Sequence, residues 1–133
     1  KGSLLDDLGQ QIEALKMYDI SIQLNPKNAK IFYDKGNILD DLGQKEDALN
    51  MYDMSIKLNP KDARTYYNKG KVLYDLDKYA KALKMYDKAI ELDSKYQKAY
   101  FNKYGYIFEQ AYHMQFMRAQ TWLQIKVFKN LFV

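Results

Sequence analysis

The chain has 133 residues, of which 47% are hydrophobic and 29% charged, and its net charge is +4. This size and composition predict one folded domain and exclude a disordered chain. The absence of cysteine excludes a disulfide framework and a thiolate nucleophile, and it favours an intracellular, cytoplasmic location.

A 34-residue repeat runs through most of the chain. Glycine, alanine, tyrosine and leucine each recur at this interval, at Gly2, Gly36 and Gly70, at Ala14, Ala48 and Ala82, at Tyr18, Tyr52 and Tyr86, and at Leu24, Leu58 and Leu92. A period of this length is typical of stacked helical units that cannot bury a core singly. We therefore predict a solenoid of repeated units.

Each unit contains two stretches in which apolar residues recur at helical spacing, represented by Phe32 in the first and Tyr52 in the second. Gly43 and Asp77 lie between the two stretches of successive units, where the chain has to reverse. Pro60 ends a second helix, because proline cannot continue a helix and disfavours it at the preceding residue. Each unit is therefore predicted to be a helical hairpin.

The third unit carries the full pattern, at Tyr66, Gly70, Leu73, Ala82, Tyr86 and Ala89. These residues resemble the tetratricopeptide repeat, and the resemblance covers about residues 1–103. It implies an all-α fold, a right-handed α-solenoid of antiparallel helical hairpins whose first helices line a concave groove. It also implies that the chain is a scaffold that binds another protein or a peptide.

The repeat is incomplete at both ends. Lys1 and Gly2 fall inside a first helix, so residues 1–96 are predicted to hold a partial first unit and two full units. At the other end, Tyr104 stands where glycine is expected, and Gly105 comes one residue late. Residues 97–133 are therefore expected to be a degenerate fourth unit and an apolar C-terminal helix.

The resemblance implies that particular columns of the first helices face the groove. The predicted peptide-binding residues are Lys30, Tyr33, Asn37, Arg64, Tyr67, Asn68, Lys71, Lys98, Phe101 and Asn102. An acidic column lies nearer the helix ends, at Asp6, Asp7, Asp40, Asp41 and Asp75. One interpretation is a groove with opposed charged rims, in which Asn68 and Asn102 bond the backbone of a captured segment. The other is that these side chains pair between neighbouring units, since exposed ion pairs contribute little stability and need no function.

One subset of the family offers a more specific alternative. Its members clamp the C-terminal carboxylate of heat-shock chaperone tails with lysine, arginine and asparagine side chains of successive first helices. Asn37, Asn68 and Lys98 match that pattern, whereas Tyr33 replaces a lysine and Asn102 replaces the arginine. A chaperone-tail module is therefore an alternative to a general peptide scaffold.

The C-terminal segment has no Gly, Pro, Asn or Asp between Tyr106 and Lys129, which predicts one long helix or two nearly continuous ones. A helix that caps a solenoid turns a polar face to solvent, and this segment is too apolar for that. We expect it to self-associate or to dock a partner through Phe116, Leu123, Val127, Phe128 and Leu131. An atypical cap and a helix on a membrane surface are the alternatives.

The residues give little support to other classes of function. His113 is the only histidine and no glycine-rich phosphate loop is present, so we expect no enzyme, no metal site and no cofactor. Single-stranded RNA is disfavoured because the acidic column would repel phosphates. No apolar run reaches the roughly 18 residues that a membrane span requires.

Overall fold

A computed structural model describes residues 4–132, except for the side chains at positions 97, 98, 100, 101 and 132. In this part of the chain there are six helices and no strand: α1 (Leu4–Leu24), α2 (Ala29–Asp41), α3 (Lys45–Leu58), α4 (Ala63–Asp75), α5 (Tyr79–Leu92) and α6 (Gln97–Phe132). The predicted all-α solenoid is confirmed. Helices α2 and α3 form one hairpin, α4 and α5 form the next, and α1 and α6 pack at the two ends.

The two hairpins reverse where the sequence predicted. Gly43 has φ +78° and Asp77 has φ +61°, so both adopt the left-handed backbone that commonly ends a helix. In each turn the N–H of the following residue donates a hydrogen bond to a carbonyl of the preceding helix. Gln44 donates to the carbonyl of Leu39 at 2.9 Å, and Lys78 donates to that of Leu73 at 2.8 Å. Hydrogen bonds of this kind satisfy carbonyl groups at the end of a helix that have no donor within the helix.

The first helices begin at side-chain caps. Asn28 accepts a hydrogen bond from the backbone N–H of Lys30 at 3.1 Å, and Asp62 accepts one from that of Arg64 at 3.0 Å. Such caps satisfy N–H groups that the first turn leaves unpaired. Helix α3 ends at Leu58, directly before Asn59-Pro60, as the sequence predicted.

The core is built on a contact between a glycine and a tyrosine in each hairpin. Tyr52 and Tyr86 are 0% and 1% exposed. A Cβ added to Gly36 would lie 2.7 Å from the Cε1 atom of Tyr52, and one added to Gly70 would lie 2.6 Å from that of Tyr86. The glycines therefore make room for the rings.

The end helices do not form hairpins. Helix α1 continues through Gly9, which holds the place of Gly43, and α6 runs unbroken for 36 residues. In the fourth unit Tyr104 replaces the glycine, Phe116 replaces the small alanine and Gln120 replaces the core tyrosine. The fourth unit therefore lacks the glycine–tyrosine contact of the two hairpins, and its second half continues α6 instead of folding back on its first half. The predicted long C-terminal helix is confirmed.

A row of ion pairs joins successive units. Lys35 contacts Asp19, Lys69 contacts Asp53 and Lys103 contacts Asp87, each with Nζ and Oδ1 2.5 Å apart. Each pair joins the second helix of one unit to the first helix of the next, and the row repeats with the 34-residue period. The row therefore lies along the contact between neighbouring units. Over residues 4–132, no helix has the length and apolar character needed to span a membrane.

Candidate functional site

The described members of the predicted groove set lie on helices α2, α4 and the start of α6, and we call the surface that these three helices share the groove face. These helices carry Tyr33 and Asn37, Tyr67, Asn68 and Lys71, and Asn102, respectively. Hydrogen bonds that cross from α2 to α4 and from α4 to α6 show that the three helices are neighbours. The side chains of Lys98 and Phe101, which the sequence also assigned to the groove, lie outside the described residues.

The asparagines of the groove face are bonded to the preceding unit. Asn68 donates from Nδ2 to the hydroxyl of Tyr33 at 3.1 Å and to Oδ1 of Asn37 at 2.9 Å. Asn37 also accepts a bond from the Tyr52 hydroxyl at 2.7 Å. One unit later, Asn102 donates to the hydroxyl of Tyr67 at 3.1 Å. The polar column is therefore hydrogen-bonded between successive units.

On the groove face, Tyr67 is less exposed to solvent than the sequence suggested. Tyr67 is only 9% exposed, and its ring centroid lies 5.2 Å from that of Tyr96 and 5.9 Å from that of Tyr86. The Lys71 ammonium lies 5.7 Å from the same ring. Burial raises the pKa of Tyr86 to about 12 and also raises the pKa of Tyr52. The hydroxyl groups of Tyr52 and Tyr86 therefore remain neutral hydrogen-bonding groups at physiological pH.

Lys30 and Arg64, the described basic residues near the starts of α2 and α4, are exposed and are paired within the chain. Lys30 lies 2.6 Å from Asp34, and Arg64 contacts Asp62 through Nε at 3.0 Å and Nη2 at 2.9 Å. The Arg64 guanidinium also lies 5.1 Å from the Tyr33 ring, and its hydrogen bond to Asp62 lowers the pKa of that carboxyl. Exposed pairs of this kind contribute about 0.2–1 kcal/mol. A carboxylate of a partner can therefore replace the internal one at small cost.

The acidic column extends further than the sequence analysis recognised. Lys45 joins Asp40 and Asp75, with its Nζ 3.2 Å from Oδ2 of Asp75, and hydrogen bonds to these carboxylates raise the pKa of Lys45. Acidic residues occur at 34-residue intervals at Asp7, Asp41, Asp75 and Glu109. Glu109 was overlooked because the glycine of the fourth unit is missing, although the period alone would have found it.

A cavity of about 280 Å³ opens at the last unit of the groove face. It is lined by Lys71, Tyr74, Asp75, Tyr86, Asn102, Gly105, Tyr106 and Glu109. Only Lys71 and Asn102 were assigned to the binding site from the sequence, and Asp75 to the acidic column. The sequence did not assign the other lining residues to a binding site, because the cavity forms where α4, α5 and α6 come together.

The predicted docking residues of α6 are all exposed. The exposed fractions are 52% for Phe116, 54% for Leu123, 56% for Val127, 62% for Phe128 and 73% for Leu131. Helix α6 packs against α5 near its start, and its residues from 107 to 131 are exposed on every side. His113 lies in this exposed stretch, and within the described residues no group of three or more side chains suited to a metal ion comes together.

Stacked helical hairpins with a 34-residue period and a buried glycine–tyrosine contact define an α-solenoid repeat protein. Family models of the tetratricopeptide repeat match residues 17–50, 36–77 and 63–96. The chain belongs to the tetratricopeptide repeat family. No curated protein matches it significantly.

Solved structures of the same fold are similar to the chain over most of its length. A crystal structure of MamA has a TM-score of 0.71 at 22% identity, covering 84% of this chain and 66% of that one. The first tetratricopeptide repeat domain of Spaghetti (RPAP3), bound to the HSP90 peptide SRMEEVD, has a TM-score of 0.73 at 20% identity, covering 79% and 83%. YrrB, described as having an unusual peptide-binding site, has a TM-score of 0.67 at 27% identity, covering 73% and 50%. The chain thus spans between half and five-sixths of these proteins.

Proposed function

We propose that this chain is a protein-interaction scaffold that holds a segment of a partner protein on the groove face. The observation that carries the proposal is the ladder of Asn68 and Asn102, whose amide nitrogens are fixed by tyrosine hydroxyls of the preceding unit. With the amide nitrogens held in this way, we expect the carbonyl oxygens to accept hydrogen bonds from the backbone N–H groups of an extended segment. A row of fixed acceptors at one-unit spacing favours a peptide over a compact small molecule.

The charged rims give the groove a polarity. Lys30 and Arg64 can exchange Asp34 and Asp62 for carboxylates of the partner, and Arg64 can do so through a two-point contact. The acidic column on the opposite side favours basic groups. The partner segment is therefore expected to carry acidic residues along one side and basic residues along the other.

The proposed roles of the two parts of the chain follow the extent of the repeat. Residues 1–96 form the repeat array with its partial first unit, and residues 97–133 supply a degenerate fourth unit and the apolar helix. The start of α6 completes the groove face by presenting Asn102 to Tyr67. The remainder of α6 extends beyond the array.

Self-association through the exposed half of α6 is the second part of the proposal, with a second copy of the chain as the partner. Twelve large apolar side chains between Ile107 and Leu131 are at least 42% exposed. An interface of standard size takes roughly 800 Å² from each partner, and one buried aromatic side chain supplies about 150–250 Å². Only five of the twelve are aromatic and all are already partly covered, so two α6 helices packed together would have to bury most of them to form a stable dimer.

The chaperone-tail alternative has weaker support. The Spaghetti (RPAP3) domain is bound to an HSP90 peptide, but at 20% identity the similarity extends to the fold alone. In this chain Asn37 and Asn68 are bonded to each other, and Tyr33 stands where the clamp has a lysine. We therefore expect the peptide SRMEEVD to bind more weakly than segments selected for this groove.

A peptide-display selection that includes free carboxyl termini tests the groove assignment. Selected peptides should bind the wild type and lose about tenfold or more in affinity with Lys30→Glu, Arg64→Glu, because two exposed pairs of roughly 0.2–1 kcal/mol each become repulsive. The matched control is Lys57→Glu, Lys84→Glu, which makes the same charge change on α3 and α5, the helices outside the groove face. Equal losses in both variants, or none in either, would reject the assignment.

A further inference from the structure

The cavity at the last unit of the groove face differs from the equivalent place in the preceding unit. Gly105 occupies the position that Lys71 holds one unit earlier and Asn37 holds two units earlier. A Cβ added to Gly105 would meet nothing within 4 Å, so the space is open. In the preceding unit the Lys71 side chain extends over the Tyr67 ring instead. The opening is therefore a feature of this chain's last unit, which the repeated fold does not require.

The walls of the cavity combine aromatic rings with negative charge. The rings of Tyr74 and Tyr106 stand at 89° with their centroids 5.7 Å apart. Asp75 and Glu109 are the last two members of the acidic column. Asp75 shares Lys45 with Asp40, whereas Glu109 has no ion pair among the described residues. The cavity thus presents an available carboxylate beside tyrosine rings.

We propose that this cavity binds one basic side chain, an arginine or a lysine, of the segment held on the groove face; this inference rests on the function proposed above. A guanidinium can contact the Glu109 carboxylate through two N–H groups while its plane stacks on a tyrosine ring. An ammonium can make the same charge contact without the two-point geometry. Lys71 also lines the cavity, but its ammonium is directed to the Tyr67 ring, which leaves the Glu109 carboxylate to a basic group of the partner.

Two capped tripeptides provide the test on the full chain, acetyl-Ala-Arg-Ala-amide and its neutral counterpart acetyl-Ala-Gln-Ala-amide. Titration followed by NMR should shift the amide signals of Gly105 and Tyr106 saturably with the arginine peptide only. Glu109→Gln removes the charge at constant shape, and Gly105→Met fills the opening without a backbone clash. Glu109→Gln should weaken the arginine peptide about three- to fivefold, the size expected for one partly exposed charge pair. Gly105→Met should weaken it as well, because the new side chain occupies the opening.

The control is Glu46→Gln, which removes an exposed carboxylate from α3, outside the groove face, and should leave the affinity unchanged. Equal shifts with both tripeptides, or unchanged affinity in Glu109→Gln and Gly105→Met, would overturn the proposal. Display selection separates this failure from failure of the groove itself. The selected peptides could depend on Lys30 and Arg64 but show no enrichment of basic residues and bind Glu109→Gln as tightly as the wild type. That result would support the scaffold function and overturn the proposal for the cavity.

Discussion

At the residue scale, the fold depends on two glycines that face fully buried tyrosines. Gly36 and Gly70 have no side chain, and the Tyr52 and Tyr86 rings occupy the space where one would be. The 34-residue period identified the glycines and the tyrosines as two repeated columns. The sequence did not show that these two columns touch each other, because the contact joins positions 16 residues apart on different helices.

Gly70→Ala is expected to destabilise the protein relative to Gly105→Ala by about 1–3 kcal/mol, the usual cost of overpacking. Both substitutions gain the same helix propensity, so their difference isolates the clash of the new Cβ with the Tyr86 ring. Urea unfolding of the two variants gives the free energies. Equal stability of the two variants would show that the Tyr86 ring can move aside.

The raised pKa of the core tyrosines predicts a loss of stability in alkali. Tyr86 titrates at about 12 in the folded chain instead of its ordinary 10.0. Above pH 10 the unfolded state releases this proton while the folded state retains it, so the free energy of unfolding falls between pH 10 and 12. The slope is at most about 1.4 kcal/mol per pH unit for one such group.

Tyr86→Phe removes this group and should make the pH dependence of unfolding shallower over the same interval. Thermal or urea unfolding from pH 8 to 12 measures it in both proteins. An identical slope in the wild type and in Tyr86→Phe would contradict the assigned pKa.

At the element scale, the sequence predicted the hairpins, their turns and the long C-terminal helix, since each depends on local pattern. It did not predict the row of Lys–Asp pairs between units, because that requires knowing how one hairpin sits on the next. It left the role of Asn68 and Asn102 open for the same reason. Both rows repeat with the period, which marks them as parts of the stacking between units.

A double-mutant cycle on Asp53 and Lys69 tests this row. The Lys69 side chain is 21% exposed, so its coupling to Asp53 should be about 0.5–1 kcal/mol. The pair of Lys88 and Glu91 within α5 is the control, with a coupling of about 0.2–0.5 kcal/mol. If the inter-unit pair couples no more strongly than the control, the row does not fix the stacking.

At the scale of the whole molecule, the apolar half of α6 is the surface through which we propose that two copies of the chain associate. Analytical ultracentrifugation should find a dimer that dissociates on dilution. Leu123→Glu, Val127→Glu should give a monomer with unchanged helix content, because both side chains are exposed in the single chain. Gln110→Glu, Gln115→Glu adds the same charge to the polar positions of α6 as a control. A wild type that remains monomeric at every concentration would reject self-association.

The central claim is that the groove face holds a partner segment, and chemical-shift mapping of one selected peptide on the full chain tests it most directly. The predicted result is a continuous set of perturbed amides on α2, α4 and the start of α6, including Asn37, Asn68 and Asn102. Perturbations confined to α3 and α5, or to the exposed half of α6, would contradict the claim.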